Sequence, residues 1–196
     1  MSQPAPAPLR LVNNHTGEFL ELLRVQRPGG LGLRLRGSLP PHRDGPPRHV
    51  HFLENERGRV TAGVLSVELA GQRMDLESGK DVELPRGIPH RWWNQGDAVL
   101  EFEGQLEPLV DLDRYLQAIF EIMNAGPKDR PPLIYLAHAA LRHRRSQAVL
   151  VLPPLVQAVV FRIAWLVGTA LGRYRGTAWP GCPARCSGAP QVIEQG

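Results

Sequence analysis

Short runs in which apolar and polar residues alternate recur along the first half of the chain, separated by Gly, Pro, Asn and Asp. Successive side chains of a strand point to opposite faces, so this alternation is typical of half-buried strands. It predicts eight strands, over residues 19–25, 31–35, 49–53, 59–62, 64–69, 72–76, 81–84 and 99–104. Many short strands with regular turn signals indicate a β-sandwich or a β-barrel.

The hydrophobic period becomes helical after residue 109. Apolar residues at helical spacing predict a first helix, and they are Leu112, Tyr115, Leu116, Ile119, Phe120 and Met123. Asp111 or Asp113 can cap its N-terminus, and the Asn-Ala-Gly-Pro segment at 124–127 ends it. Its apolar stripe is expected to pack on the β domain. A second helix is predicted from Pro132 to about Arg145, with proline in its first turn.

The segment at 148–172 raises a separate question. Residues 155–171 are apolar nearly all round, interrupted by Gln157, Arg162 and Thr169. Three hypotheses compete: a helix buried against the barrel or a second subunit, an interfacial membrane helix, and a membrane span. A span needs about 20 apolar residues, and a central Arg costs roughly 2.5–3.5 kcal/mol on insertion scales. We favour burial against protein, with membrane contact through 148–172 as the alternative.

Charge also differs between the first part of the chain and the last part. Residues 1–125 carry 14 basic and 17 acidic groups, whereas residues 126–196 carry nine basic and two acidic groups. Arg supplies almost all of the positive charge, with 21 Arg against two Lys. Arg richness can follow from genome base composition, so it does not indicate nucleic-acid binding. The basic tail would instead be attracted to anionic lipid if it reached a membrane.

The two patterns predict four segments. A flexible lead-in covers 1–14, the β domain covers 15–108, a helical extension covers 109–176, and a flexible tail covers 177–196. Cys182 and Cys186 lie in that tail, and two ligands are too few for a structural zinc site. The N-terminus lacks the charged and apolar regions of a signal peptide. We therefore expect a cytoplasmic protein, with peripheral or single-helix membrane association as the alternative.

Three histidines and a carboxylate are the strongest chemical signal. His49 and His51 are two apart in a predicted strand and point to the same face, Glu56 follows five residues later, and His90 lies on a second segment rich in Pro and Gly. A single His is more often a surface or core residue than a ligand, but this joint placement favours a metal site. Imidazole and carboxylate together suit Fe, Mn, Co, Ni, Cu or Zn.

These residues resemble the two motifs of the cupin superfamily. The second motif, G-x5-P-x-G-x2-H-x3-N, is matched at every defined position, by Gly79, Pro85, Gly87, His90 and Asn94. The first, G-x5-H-x-H-x3-4-E-x6-G, is matched from His49 through His51 and Glu56 to Gly63. Two departures are Arg43 in place of the leading glycine, where Gly45 can supply the turn, and Gly58 where cupins carry a larger apolar residue. The resemblance covers about residues 15–108.

The resemblance implies a mainly β fold, a single cupin jelly-roll β-barrel followed by an α-helical C-terminal extension. It also implies that His49, His51, Glu56 and His90 bind a divalent transition metal such as Fe, Mn, Ni or Zn. If a strand were shifted, Glu54 would take the place of Glu56. Cupins with this ligand set include dioxygenases, oxalate-type decarboxylases and sugar-phosphate isomerases, and many other cupins are sensors or storage proteins.

Two functional hypotheses follow. The first is a small-molecule metalloenzyme of dioxygenase type, with Trp92, Asn94 and Phe52 in the pocket beside the metal, since alternation from His90 turns Trp92 and Asn94 inward. The second is a non-catalytic ligand-binding or sensor cupin, whose basic, apolar tail mediates dimer, partner or membrane contact. A homodimer is expected in either case. No phosphate-binding loop, nucleophile elbow or dinucleotide motif is present.

Overall fold

The structure is a computed structural model that describes residues 7–174. Its strands are β1 (Leu9–Val12), β2 (Phe19–Arg27), β3 (Gly30–Leu39), β4 (Arg43–Asp44), β5 (His49–His51), β6 (Asn55–Ala62), β7 (Val64–Leu69), β8 (Gln72–Glu77), β9 (Asp81–Leu84), β10 (His90–Asn94), β11 (Leu100–Glu107) and β12 (Gln147–Val149). Its helices are α1 (Leu112–Ala125), α2 (Leu133–Arg142) and α3 (Pro154–Ala170). The prediction of a mainly β fold with a helical C-terminal extension is confirmed.

The strands form two antiparallel sheets of six. The first sheet has the order β1-β2-β3-β11-β6-β9. The second has the order β12-β5-β10-β7-β8, and β4 also pairs with β10. Over residues 7–174 these pairings leave both sheets open, so the described part of the chain has two sheets that do not close into a barrel. The sheets do not join because β1 and β9, the edges of the first sheet, pair only with their neighbours in that sheet.

The core lies on the inward faces of the two sheets. Strand β11 alternates strictly, with Leu100, Phe102, Gly104 and Leu106 buried and the intervening residues exposed. Inward residues from both sheets join the same apolar cluster, among them Leu22 and Leu33 of the first sheet and Val67 of the second. Period-two alternation therefore places one face of each sheet in the core.

Close packing in the first sheet leaves no room for a side chain at Gly37. A Cβ at Gly37 would lie 2.7 Å from Leu20 Cδ2, from Phe102 Cζ and from the Phe19 carbonyl oxygen. Because one of these atoms is backbone, the site cannot relax by a side-chain rotation alone. We expect Gly37→Ala to lower the free energy of unfolding by about 1–3 kcal/mol in urea titrations, the usual cost of overpacking. Gly29→Ala is the matched control, because nothing lies within 4 Å of its Cβ position, and an equal effect at both positions would contradict the packing argument.

Three strands were not predicted. β1 lies within the lead-in assigned as flexible, so residues 9–12 are corrected to an edge strand paired with β2. β4 is two residues long and pairs with Trp93 and Asn94. β12 lies in the extension predicted to be helical, and it pairs with β5. Segments this short carry no periodic signal, and their conformation is set by the strand that they meet.

Helix α1 fastens the extension to the first sheet. Its residues Leu112, Phe120 and Met123 belong to the main apolar cluster, so the predicted packing of α1 on the β domain is confirmed. The carboxylate of Asp113 in its first turn is fully buried and lies 2.7 Å from Arg24 Nη2 on β2. The extension thus contacts the β domain through both an apolar face and a buried ion pair.

Helix α3 is only partly buried. It packs on α2 through Phe161 and Ala164, while Leu155 and Leu166 on its other side are 84% and 58% exposed. One face of α3 is therefore buried, and its apolar contacts there are with α2 and with Val149 of β12. Burial against a second subunit stays a prediction. Among the helices of residues 7–174, none has the length and apolar character that crossing a membrane requires. Cys182, Cys186 and the predicted flexible tail lie outside the described residues.

Candidate metal centre

Three strands bring the four predicted ligands together. β5 carries His49 and His51, β6 carries Glu56, and β10 carries His90, which is paired with His49 across the sheet. One nitrogen of each ring and one oxygen of the carboxylate all lie within 4.8 Å of one another. His51 and His90 are fully buried, and His49 and Glu56 are partly exposed. The spacing of the sequence motifs is thus realised as a single cluster.

The turn before β10 aims His90 at this cluster. Gly87 adopts a φ of +79°, a conformation that glycine reaches without the strain of a Cβ. Its backbone N–H donates to the His51 carbonyl oxygen at 2.7 Å, which ties the turn to β5. This contact explains why a Pro-x-Gly segment precedes the histidine by so few residues.

The rings of His49 and His90 are held in one tautomer by the backbone. His49 Nδ1 lies 2.9 Å from the Pro47 carbonyl oxygen, and His90 Nδ1 lies 3.0 Å from that of Ile88. A carbonyl oxygen can only accept, so Nδ1 carries the proton in each neutral ring. The lone pair is then on Nε2, the ring nitrogen left free to bind a metal.

The Nε2 atoms of His51 and His90 lie farther from the Glu56 carboxylate than in a close hydrogen bond, as expected of nitrogens that bind a cation. His90 Nε2 is inaccessible to solvent, and within residues 7–174 it has no hydrogen-bond partner. Its neighbour Glu56 Oε2 is 3.6 Å away, and the same oxygen is 3.5 Å from His51 Nε2. An unsatisfied buried polar atom is costly, and three nitrogens with one carboxylate are a donor set for divalent transition metals. The arrangement fits a metal ion.

The electrostatics of the cluster are tightly linked. Removal from water lowers the pKa of His49 to about 3, and the neighbouring His90 and His51 lower it further. Burial also acts to lower the pKa of His51, but the carboxylates of Glu54 and Glu56 outweigh it and raise that pKa to about 9. Burial acts to raise the pKa of Glu56, and contacts with His51 and His90 outweigh it and hold the pKa below its ordinary value. A bound cation would balance the negative charge of the Glu56 carboxylate, which His51 otherwise neutralises.

Glu54 is not a member of the ligand cluster. Its Oε2 lies 3.4 Å from His51 Nδ1, on the side of the ring away from Glu56, and its Oε1 accepts the Val110 N–H at 2.9 Å. The residue is completely buried. The shift that would have exchanged Glu54 for Glu56 does not occur, because β6 begins at Asn55 and Glu56 faces the histidines.

The three predicted pocket residues occupy different places. Trp92 points inward and packs edge to face on Phe102, with ring centroids 4.9 Å apart. Asn94 is buried, and its amide donates to the carbonyl oxygens of Leu39, Pro40 and Ala98. Phe52 lies in the loop after β5 with 43% of its surface exposed. Only Trp92 therefore lines the cavity beside the ligands, and Asn94 holds the turn after β10.

Arginines next to the ligands point away from the cluster, as alternation predicts. Arg91 Nη2 lies 2.8 Å from Glu68 Oε2 on β7, and Arg48 Nε lies 4.0 Å from the other oxygen of Glu68. The Arg91 guanidinium also lies over the ring of Trp93, 5.0 Å from its centroid, so Trp93 is on the outer face. These arginines are consequently engaged outside the candidate site.

A small cavity adjoins Glu56 on the inner side. Its volume is about 20 Å³, and its lining is mostly apolar, including Leu65, Val82, Trp92 and Phe102. Gly58, the departure from the usual cupin pattern, is part of the same wall. The charged residues of the lining are Glu56 and Glu103, and no cationic side chain belongs to it. The cavity is suited to a very small neutral molecule.

Comparison with known proteins identifies the β region. Residues 35–107 match the family model described as a cupin domain, and this segment contains all four candidate ligands, so this part of the chain is a cupin-type domain. The chain is also 32% identical over 79 residues to the oxidoreductase iacF of Pestalotiopsis fici. That alignment covers 39% of each protein, so it spans about two fifths of the length of the curated relative.

Solved structures resemble the chain more distantly. A Streptomyces protein, PAC13, with uridine is 14% identical over 58% of this chain and 88% of its own, with a TM-score of 0.45. A predicted oxalate decarboxylase from Thermotoga maritima is 22% identical over 52% and 91%, with a TM-score of 0.39. A sugar phosphate isomerase from Silicibacter pomeroyi is 25% identical over 44% and 58%, with a TM-score of 0.38. These three overlaps are too limited to indicate a function.

Proposed function

We propose that this cupin-type domain binds one divalent transition metal through His49, His51, Glu56 and His90, and that it is a small-molecule oxidoreductase of dioxygenase type. The observation that carries the proposal is the convergence of four donor atoms within 4.8 Å, two of the rings being held by backbone carbonyls with Nε2 free. The similarity to a protein named as an oxidoreductase supports the reaction class.

The residues of the chain have separable roles in this proposal. His49, His51 and His90 supply neutral nitrogen donors, and Glu56 supplies the negative charge. A metal bound by them would act as a Lewis acid or as a redox centre with coordination positions left for small molecules. His51 and His90 are buried, whereas His49 and Glu56 are partly exposed, so within residues 7–174 a small molecule would reach the cluster on the side of His49 and Glu56.

The cavity beside Glu56 favours oxygen chemistry over sugar-phosphate isomerisation. A volume of about 20 Å³ accommodates a molecule the size of water or dioxygen. A phosphate group needs cationic side chains or backbone donors, whereas the charged groups of this lining, Glu56 and Glu103, are both acidic. Apolar walls also favour a small neutral molecule over a phosphorylated sugar.

Metal analysis of the purified full-length chain tests the proposal. Protein purified without added metal is expected to contain close to one equivalent of a transition metal, measured by inductively coupled plasma mass spectrometry. The loaded protein is then screened for oxygen uptake with a panel of small organic substrates. Absence of stoichiometric metal, both as purified and after dialysis against Fe²⁺, Mn²⁺, Ni²⁺ and Zn²⁺, would overturn the proposal.

A non-catalytic ligand-binding or sensor domain is the second candidate. Pockets for small molecules commonly measure about 300–1,000 Å³, and the cavity at the cluster is far smaller. That difference favours a site in which the metal itself is the ligand. Stoichiometric metal without oxygen uptake on any substrate of the panel would support this candidate.

We also propose that the exposed face of α3 is covered by a second copy of the chain. Leu155, Val159, Ile163 and Leu166 lie on that face, each more than half exposed. Contiguous exposed apolar surface of this kind marks interaction sites. The variant Leu155→Glu/Leu166→Glu is expected to sediment as a monomer where the wild type is a dimer, with Glu68→Gln as the charge-changing control. A monomeric wild type that floats with anionic liposomes would contradict dimerisation.

A further inference from the structure

The orientation of His51 depends on a residue that is not a ligand. His51 presents Nε2 to Glu56 at 3.5 Å and Nδ1 to Glu54 at 3.4 Å. Neither His51 Nδ1 nor Glu54 Oε2 has a formed hydrogen bond within residues 7–174, and both atoms are inaccessible to solvent. Their separation exceeds the ~2.9 Å of an ideal N–H···O bond. The Glu54 carboxylate is placed to accept a hydrogen bond from the Nδ1–H group when the His51 ring binds a metal.

The other oxygen of Glu54 contacts the C-terminal extension, defined here as residues 109–174. Oε1 accepts the backbone N–H of Val110 at 2.9 Å, just before α1 begins. Next to it, the Leu109 N–H donates to the Leu31 carbonyl oxygen at 2.6 Å. One buried carboxylate therefore faces the imidazole of a candidate ligand with one oxygen and the first residues of the extension with the other.

The extension also pairs with β5, the strand that carries His49 and His51. β12 pairs with β5 so that Gln147 is opposite His51 and Val149 is opposite His49. The Phe52 N–H donates to the Ser146 carbonyl oxygen at 2.7 Å, which continues the pairing beyond the strand. Both ends of the strand that carries two ligands are thus held by backbone of the extension.

A partly buried carboxylate, that of Asp111, joins these two attachment points. The carboxylate of Asp111 accepts from His143 Nδ1 at 2.7 Å and from Ser146 Oγ at 2.5 Å. Contact with His143 and Ser146 outweighs burial and lowers the pKa of Asp111. Because Asp111 adjoins Val110, and Ser146 adjoins β12, movement of either attachment point would disturb the other.

We propose that Glu54 is a positioning residue that orients His51 for the metal and couples metal binding to the docking of the C-terminal extension. The inference rests on the proposed function, since it presupposes that His51 is a ligand. Outer carboxylates that accept the second N–H of a ligating imidazole fix its tautomer and raise its basicity. Here the same carboxylate also accepts from the Val110 N–H. Metal binding and docking of the extension therefore share a contact, and whatever effect one has on the other is reciprocal.

Glu54→Gln separates the two contacts without changing the size of the side chain. The amide has one accepting oxygen and one donating NH₂ group, whereas both His51 Nδ1–H and the Val110 N–H are donors. If the amide oxygen accepts from Val110, its NH₂ group faces the Nδ1 proton, which favours the tautomer with the proton on Nε2. That tautomer has no lone pair on the nitrogen directed at the cluster.

The test measures metal affinity in the full chain by competition with a chromogenic chelator, with Zn²⁺ and Co²⁺ as the probes. Loss of such an outer partner is expected to weaken binding by about 10–100-fold. Glu54→Asp retains an acceptor-only carboxylate and should fall between the wild type and Glu54→Gln. The Co²⁺ absorption bands of Glu54→Gln should also shift, because His51 no longer binds in the same orientation. Glu68→Gln is the matched control, since it removes the same charge from the outer face of β7.

Hydrogen exchange measures the coupling itself. Metal is expected to slow exchange of the amides at 110–111 and 146–149 in the wild type and in Glu68→Gln, and to slow it much less in Glu54→Gln. A purely structural role for Glu54 would lower the stability of the metal-free protein and leave the affinity ratio and the Co²⁺ bands unchanged. If Glu54→Gln does not fold, Glu54→Asp carries the same comparison.

The outcomes separate this inference from the proposed function. A wild type that binds no metal overturns both. A wild type that binds one metal, with Glu54→Gln equally tight and spectroscopically identical, overturns the role of Glu54 and leaves the proposed site standing. Weaker binding with unchanged protection of the extension overturns the coupling and leaves the orienting role.

Discussion

The His90→Ala variant is expected to bind divalent metal at least about 100-fold more weakly than the wild type. His90 is fully buried, and its Nε2 has no other hydrogen-bond partner in the described part of the chain. Loss of a residue that hydrogen-bonds to a metal ligand typically weakens metal affinity by about 10–100-fold, so loss of a ligand itself should weaken it more. Isothermal titration with Zn²⁺ measures the difference directly.

Thermal unfolding provides a second measurement of the same prediction. A ligand at 100 times its dissociation constant stabilises the folded state by about 2.7 kcal/mol, so added metal should raise the melting temperature of the wild type and not that of His90→Ala. His42→Asn is the control, because it removes an exposed imidazole that is paired with Asp97. His49→Ala repeats the test at the partly exposed ligand. Unchanged affinity in both ligand variants would exclude the cluster as the metal site.

The Arg24→Met variant is expected to lower the free energy of unfolding by about 3–5 kcal/mol. Arg24 is the ion-pair partner of Asp113, a carboxylate with no exposed surface at the start of α1. Removing one member of a buried pair leaves the other charge without compensation, which is far more costly than losing an exposed pair. Urea denaturation followed by circular dichroism measures the change.

Two further variants define the cause. Arg10→Met removes an arginine that is 67% exposed and whose partner Glu21 keeps Arg36. It should therefore cost less than about 1 kcal/mol. Arg24→Met/Asp113→Leu removes both charges and should recover most of the loss. If Arg24→Met is no more destabilising than Arg10→Met, the ion pair does not hold α1 on the sheet.

Much of the β domain and of the cluster was predictable because the signals were local. Alternation placed β2, β3, β5 to β9 and β11 within a few residues, and β10 was inferred as the strand that carries His90. The spacing of His49 and His51 within one strand required them to share a face. Period and spacing are properties of neighbouring residues, so a single sequence carries them.

The remainder depended on pairings between distant segments. Nothing local distinguishes Gln147–Val149 from a helix-to-helix connection, yet these residues become a strand because the edge of β5 is there to accept them. The same applies to Glu54, whose role comes from contact with Val110, 56 residues away. Phe52 was expected in the pocket, but the chain leaves the strand at His51 and alternation no longer directs its side chain.

The position of β12 also bears on how this chain avoids associating through its sheets. An unpaired edge strand offers its backbone N–H and C=O groups to any other extended chain, and natural proteins limit this hazard with short or charged edges. Without β12, the strand bearing His49 and His51 would present that edge; with it, the edge is a strand of three residues. At the opposite edge, β8 carries Arg73, Asp75 and Glu77. The strand that carries His49 and His51 can therefore lie on this side of its sheet without becoming a template for aggregation.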